Sequence, residues 1–71
     1  MLKLNKTKTI DSLVTSIKSI QGRIEDNYNA SDNALNNKNW EQYDQLFKIR
    51  REYYEAHKAL WNAWDLITRM D

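Results

Sequence analysis

Apolar residues recur every three or four positions in two long stretches, separated by four polar residues. The first series is Ile10, Leu13 with Val14, Ile17, Ile20, Ile24, Tyr28 and Leu35, diluted after Tyr28, where Ser31 and Ala34 help to carry it on. Residues three and four apart share one side of a helix, so this spacing predicts a helix with a single apolar seam. Its other side carries Asp11, Ser12, Thr15, Ser16, Lys18, Ser19, Arg23, Glu25, Asp26 and Asn29, a face suited to water. Thr9 is the expected N-cap, with Asp11 in the first turn, where a carboxylate favours the helix dipole. Gly22 falls in mid-helix, where it weakens the helix or marks a close approach.

The second stretch, Trp40 to Met70, contains neither Gly nor Pro. It carries two series. Leu46, Ile49, Tyr53, Ala56, Leu60, Ala63, Ile67 and Met70 form a largely aliphatic one. Trp40, Tyr43, Phe47, Arg50, Tyr54, His57, Trp61 and Trp64 repeat the same alternation, shifted by one residue. At ~100° per residue the two lie side by side and cover roughly two thirds of the helix circumference. The remaining strip is charged, with Asp44, Lys48, Arg51, Glu52, Glu55, Lys58, Asp65 and Arg69.

Between the stretches, Asn36-Asn37-Lys38-Asn39 reads as a turn. Asn tolerates the left-handed backbone that ends a helix, and Asn39 with Gln42 makes a variant capping box for the next one. The expected fold is therefore all-α. It is an antiparallel two-helix hairpin with helix one at about 9–35 and helix two at about 40–69. Residues 1–8, with Lys3, Lys6 and Lys8 and no acid, are expected to be a flexible basic arm, and 9–71 a single domain.

Length changes this picture. A chain of 71 residues buries only about 60% of its unfolded surface, so a lone hairpin core is marginal. There is no Cys and one His, which leaves no disulfide, no thiolate metal site and no imidazole cluster to reinforce it. A helix packed on one neighbour needs an apolar arc of about 100°, and helix two offers far more. Helix one is expected to cover the aliphatic series, its better match. The aromatic series would then need another cover, because a patch of that size is seldom left in water. The expected cover is a second copy, giving a homodimeric four-helix bundle, or another protein.

Two residues within the aromatic series, Arg50 and His57, are not apolar and carry readings of their own. Arg50 reads either as a guanidinium stacked on aromatic faces with its head at the rim, or as a contact to a partner carboxylate or phosphate. His57 reads as a satisfied core or interface histidine.

The net charge is +1, which gives no strong electrostatic case for nucleic acid or anionic membrane. No run of ~18 apolar residues exists to span a bilayer, and no apolar segment follows the first lysines as in a signal peptide. The expected location is cytoplasmic. The abundance of Asn and Lys fits a low-GC bacterium or its phage. Catalysis finds no Cys nucleophile, no phosphate loop and no His-Glu-x-x-His, so no enzyme and no cofactor are expected.

The functional expectation is a small non-enzymatic interaction module. It would self-associate and bind or inhibit a partner protein through Trp40, Tyr43, Phe47, Arg50, Tyr54, His57, Trp61 and Trp64. The alternative is a dimeric helical bundle that binds nucleic acid, with Lys3, Lys6 and Lys8 as candidate phosphate contacts and Arg23 or Arg51 on its outer faces.

Overall fold

In the computed structural model, which describes residues 5–70, the chain forms two α-helices. They are α1 (Lys6–Asn36) and α2 (Trp40–Thr68), of 31 and 29 residues. The all-α antiparallel hairpin is the fold observed.

Helix α1 begins at Lys6, three residues before the expected Thr9 cap. Asn5 takes the capping role instead: its side chain accepts a hydrogen bond from the Lys8 backbone N–H at 3.1 Å. The Thr9 hydroxyl bonds back to the Asn5 carbonyl at 2.9 Å, a contact available only once the helix is already formed around it. Lys6 and Lys8 are therefore in the first turn of α1, where a flexible arm was expected. The rest of that arm, with Lys3, lies outside the described residues.

The turn closes with a Schellman motif. The Asn39 N–H donates to the Ala34 carbonyl at 2.8 Å and the Lys38 N–H to the Leu35 carbonyl at 3.0 Å. The left-handed residue is Lys38, with φ of 56°, and not one of its asparagine neighbours. Asn39 then caps α2, accepting from the Gln42 N–H at 3.2 Å while its amide donates to the Gln42 side chain at 3.2 Å.

The packing differs from the expectation in register around the helix axis. Helix α1 covers neither series of α2 whole; it lies over the boundary between them. Tyr43, Leu46, Arg50, Tyr53, His57, Leu60, Trp64 and Ile67, drawn alternately from both series, are the half-buried line of α2. These keep the 3–4 spacing, so the seam is regular although its chemistry is mixed. The rest divide to either side. Trp40, Phe47, Tyr54 and Trp61 line one flank, and Ile49, Ala56, Ala63 and Met70 the other.

Along α1 the seam runs Ile10, Leu13, Ile17, Ile20, Ile24 and then Asn27, Ser31 and Ala34. Ser31 and Ala34 carry the seam on as expected, but Asn27 takes the place of Tyr28, and both Tyr28 and Leu35 stand exposed. Among the described residues only Ile17, Asn27, Ser31 and Ala34 are buried, and two of these four are polar.

The far end is fastened by charge. Lys6 Nζ donates to the Thr68 carbonyl at 3.2 Å and also to the Met70 carbonyl. Helix α2 has no basic residue in its own last turn. Lys6 thus supplies from α1 the cation that favours the negative end of the α2 dipole.

The hairpin is a single layer, 57 × 18 × 15 Å, with a radius of gyration of 16.5 Å. A compact domain of this length would have about 11 Å. It exposes 5893 Å². Surface scaling gives about 4,700 Å² for a compact monomer of 8.5 kDa, so the excess is about 1,200 Å².

Candidate protein-interaction face

The eight residues of the aromatic series do not share one environment. Tyr43, Arg50, His57 and Trp64 are half-buried on the seam against α1, whereas Trp40, Phe47, Tyr54 and Trp61 stand on the flank, 61%, 47%, 45% and 41% exposed. The exposed four are seven residues apart, a spacing that keeps them in one row along a packed helix. Helix α1 adds Tyr28 and Leu35, again seven apart and exposed on the same side. The Tyr28 hydroxyl is 2.8 Å from that of Tyr54, which shows that the two rows adjoin. Together they form an aromatic flank running along the hairpin.

Beneath the flank lies a polar cluster. Arg50 Nε donates to Asn27 Oδ1 at 2.9 Å, and Arg50 Nη2 donates to Ser31 Oγ at 2.8 Å. Asn27 Nδ2 donates to the Leu46 carbonyl at 2.9 Å. The guanidinium carbon sits 4.0 Å from the Tyr28 ring centroid and 5.8 Å from that of Phe47. Arg50 is thus stacked on aromatic faces, one of the two sequence readings. Its head, however, turns inward to α1 and not out to the rim. Its bonded partners are neutral, so the charge is stabilised by oriented dipoles and π-faces.

His57 is half-buried and satisfied. Its Nε2 accepts from Trp61 Nε1 at 3.2 Å, and the side-chain nitrogen of Gln21 lies 3.4 Å from the same atom. Trp61 meets the His57 ring edge-on at 6.2 Å and the Trp64 ring edge-on at 5.4 Å, geometries favoured by the aromatic quadrupole.

The Tyr28–Tyr54 contact splits the two phenols. The hydrogen bond from Tyr54, helped by Arg50 beside it, holds Tyr28 below the ordinary tyrosine value. The same bond, with some desolvation, raises Tyr54 above it.

The opposite flank is different in kind. Ser16, Arg23 and Ala30 of α1 face Ile49, Ala56 and Ala63 of α2, with Tyr53 between the helices. It is shallow, its residues are small, and polar groups interrupt it.

The candidate phosphate contacts are not brought together. Lys3 lies outside the described residues, Lys6 is engaged at the α2 C-terminus and Lys8 is exposed in the first turn. Arg23 lies on the small-residue flank and Arg51 on the charged strip. Exposed acids pair with neighbours there, Asp44 with Lys48 at 3.2 Å and Asp65 with Arg69 at 3.1 Å. Among the described residues no group of three or more His, Asp or Glu side chains could hold a metal ion, and no helix is long and apolar enough to cross a membrane.

Asn27 is the site residue that hydropathy missed. The signal available was positional: like Ser31, it falls on the 3–4 alternation that starts at Ile10. No protein-family model matches this chain, and no curated protein or solved structure matches it.

Proposed function

We propose that this chain is a small non-enzymatic protein–protein interaction module whose contact surface is the aromatic flank. The observation that carries the reading is the row Trp40, Phe47, Tyr54 and Trp61, exposed beside Tyr28 and Leu35. Aromatic side chains are those that dominate binding at protein interfaces, because they bury large area with few rotatable bonds. A row this long exceeds the isolated apolar residues that any surface carries. The module acts by occupying the surface of another chain, as adaptor, inhibitor or assembly subunit. A cytosolic setting belongs to the same proposal, since a cysteine-free chain draws nothing from an oxidising compartment.

The test is to truncate the row where it is most exposed. Trp61→Ala and Phe47→Ala are expected to keep their helical content by circular dichroism and to lose association with other chains. If both variants instead retain wild-type mass and binding and lose only thermal stability, the row is intramolecular core and the reading fails.

A further inference from the structure

We propose that the occupant of the aromatic flank is a second copy of this chain, docked flank to flank about a two-fold axis parallel to the helices. This rests on the interaction-module reading and names its partner.

Area is the first argument. The hairpin exposes about 1,200 Å² more than a compact monomer of its mass, and a stable interface takes about 800 Å² from each partner. An interface of that size is smaller than the excess, so a hairpin that gave one up would still expose as much surface as a compact monomer.

The second argument is polar satisfaction. A surface can be buried cheaply only if its polar atoms already have partners. On this flank the Tyr28 and Tyr54 hydroxyls bond each other, Trp61 Nε1 bonds His57, and Arg50 is bonded to Asn27 and Ser31. The middle of the flank presents π-faces with these donors already bonded; the opposite flank, with Ser16 and Arg23 along it, does not. The Trp40 indole N–H and the Gln21 amide remain exposed on the aromatic flank.

Size complementarity sets the orientation. Counted outward from the turn, Val14, Gln21, Tyr28 and Leu35 of α1 lie level with Trp61, Tyr54, Phe47 and Trp40 of α2. An axis parallel to the helices lays α1 of each protomer on α2 of the other, at the same level and antiparallel. Val14, Gln21 and Leu35 then each face a larger α2 aromatic and Tyr28 faces Phe47, an arrangement that lets layers interdigitate. An axis across the helices would stack α2 on α2, with Trp40 against Trp61 and Phe47 against Tyr54. On α1 it would set Gln21 against Tyr28, and Val14 against Leu35 at the same level as the two tryptophans, so that the slightest and the bulkiest pairs lie side by side. Either axis makes every neighbouring pair of helices antiparallel, as in an up-down four-helix bundle, so side-chain size is what separates them.

The two axes place the turns differently, and a spin label on Lys38→Cys reads this directly. With the parallel axis both turns lie at one end of the bundle. Dipolar spectroscopy at ~100 µM should then give one intermolecular distance of about 15–30 Å, set by helix spacings of ~10 Å plus the label arms. A distance approaching the 57 Å length of the hairpin overturns the proposed axis. The absence of any intermolecular distance overturns the second copy as occupant. Phe47→Lys, at a position already in water within one hairpin, is expected to weaken dimerisation at least a hundredfold with helical content unchanged. Ile49→Lys on the other flank should leave it within about threefold. Equal effects of the two would contradict the choice of flank. Should the chain prove monomeric while Phe47→Ala and Trp61→Ala still abolish binding to another protein, the partner is wrong and the interaction-module reading stands.

Discussion

Arg50 and Asn27 lock the two helices together: the Arg50 Nε donates to Asn27 Oδ1 at 2.9 Å, and Asn27 returns a bond to the carbonyl of Leu46, one turn before Arg50 on α2. A single buried polar residue on a helical seam is the usual device for fixing register, because any slip leaves it unbonded. Asn27→Ala removes the acceptor of Arg50 Nε, leaving Ser31 as the other bonded partner of the guanidinium, and should cost about 1–3 kcal/mol in urea unfolding. Arg50→Met should cost a similar amount by taking the donor from Asn27 Oδ1 and Ser31 Oγ. The paired replacement Asn27→Leu with Arg50→Met should cost less than the sum, with a coupling of about 0.5–3 kcal/mol, and should broaden the amide NMR spectrum as register loosens. Strict additivity in that cycle would mean that the two side chains act independently.

Glycine should act with opposite signs at two places. Lys38 occupies the left-handed C′ position of the turn at φ 56°, where a β-carbon is strained by about 1 kcal/mol. Lys38→Gly removes that strain and is expected to raise the melting temperature by about 4–8 °C per kcal/mol. Gly22 is mid-helix, with nothing within 4 Å of where a β-carbon would stand, so it marks no close approach. Gly22→Ala should therefore stabilise by about 1 kcal/mol through helix propensity alone. Thermal denaturation at one fixed protein concentration checks both, and a fall in either melting temperature contradicts the local geometry described.

The phenol pair should titrate in two separated steps. Tyr28, lowered first by the Tyr54 hydroxyl, loses its proton at a pH below that of an ordinary tyrosine, and Tyr54 above it. The signs oppose. Lowering of the folded-state value at Tyr28 contributes stability that is present above the unfolded value and is lost as pH falls through the lowered one. Raising at Tyr54 contributes stability that is present below the unfolded value and is lost as pH rises through the raised one. In Tyr54→Phe the first step should move upward in an ultraviolet titration of phenolate. An unmoved first step would show that the Tyr28–Tyr54 bond is absent in solution.

The hairpin was legible from the chain because its signals are local. The 3–4 alternation from Ile10 to Ile24, the polar turn at 36–39 and the Asn39–Gln42 cap each depend on residues a few positions apart. What misled was hydropathy without direction. After Ile24 the pattern pointed to Tyr28, then Ser31, Ala34 and Leu35, yet the seam follows position and reaches Ser31 and Ala34 through Asn27. Polar Asn27 is tolerable there only because Arg50 and the Leu46 carbonyl lie opposite, a fact of tertiary pairing that no window along α1 contains. For the same reason the two series of α2 looked like alternatives. Arg50 and His57 appeared as polar interruptions of a surface, whereas each has partners on α1 that place it on the seam. Removing them from the exposed set sharpens the candidate site to Trp40, Phe47, Tyr54 and Trp61 with Tyr28 and Leu35. The start of α1 was misplaced because Asn5 and Thr9 are both good caps, and nothing in the sequence ranks them until Lys6 is seen reaching the end of α2.

The aromatic flank as a surface of association is tested most directly by the solution mass of the isolated chain. Sedimentation equilibrium from one to one hundred micromolar is expected to give twice the 8.5 kDa of the single chain. Phe47→Lys should give the single-chain mass with its helices intact. A fully helical wild-type chain that sediments at 8.5 kDa across that range would contradict self-association through this flank.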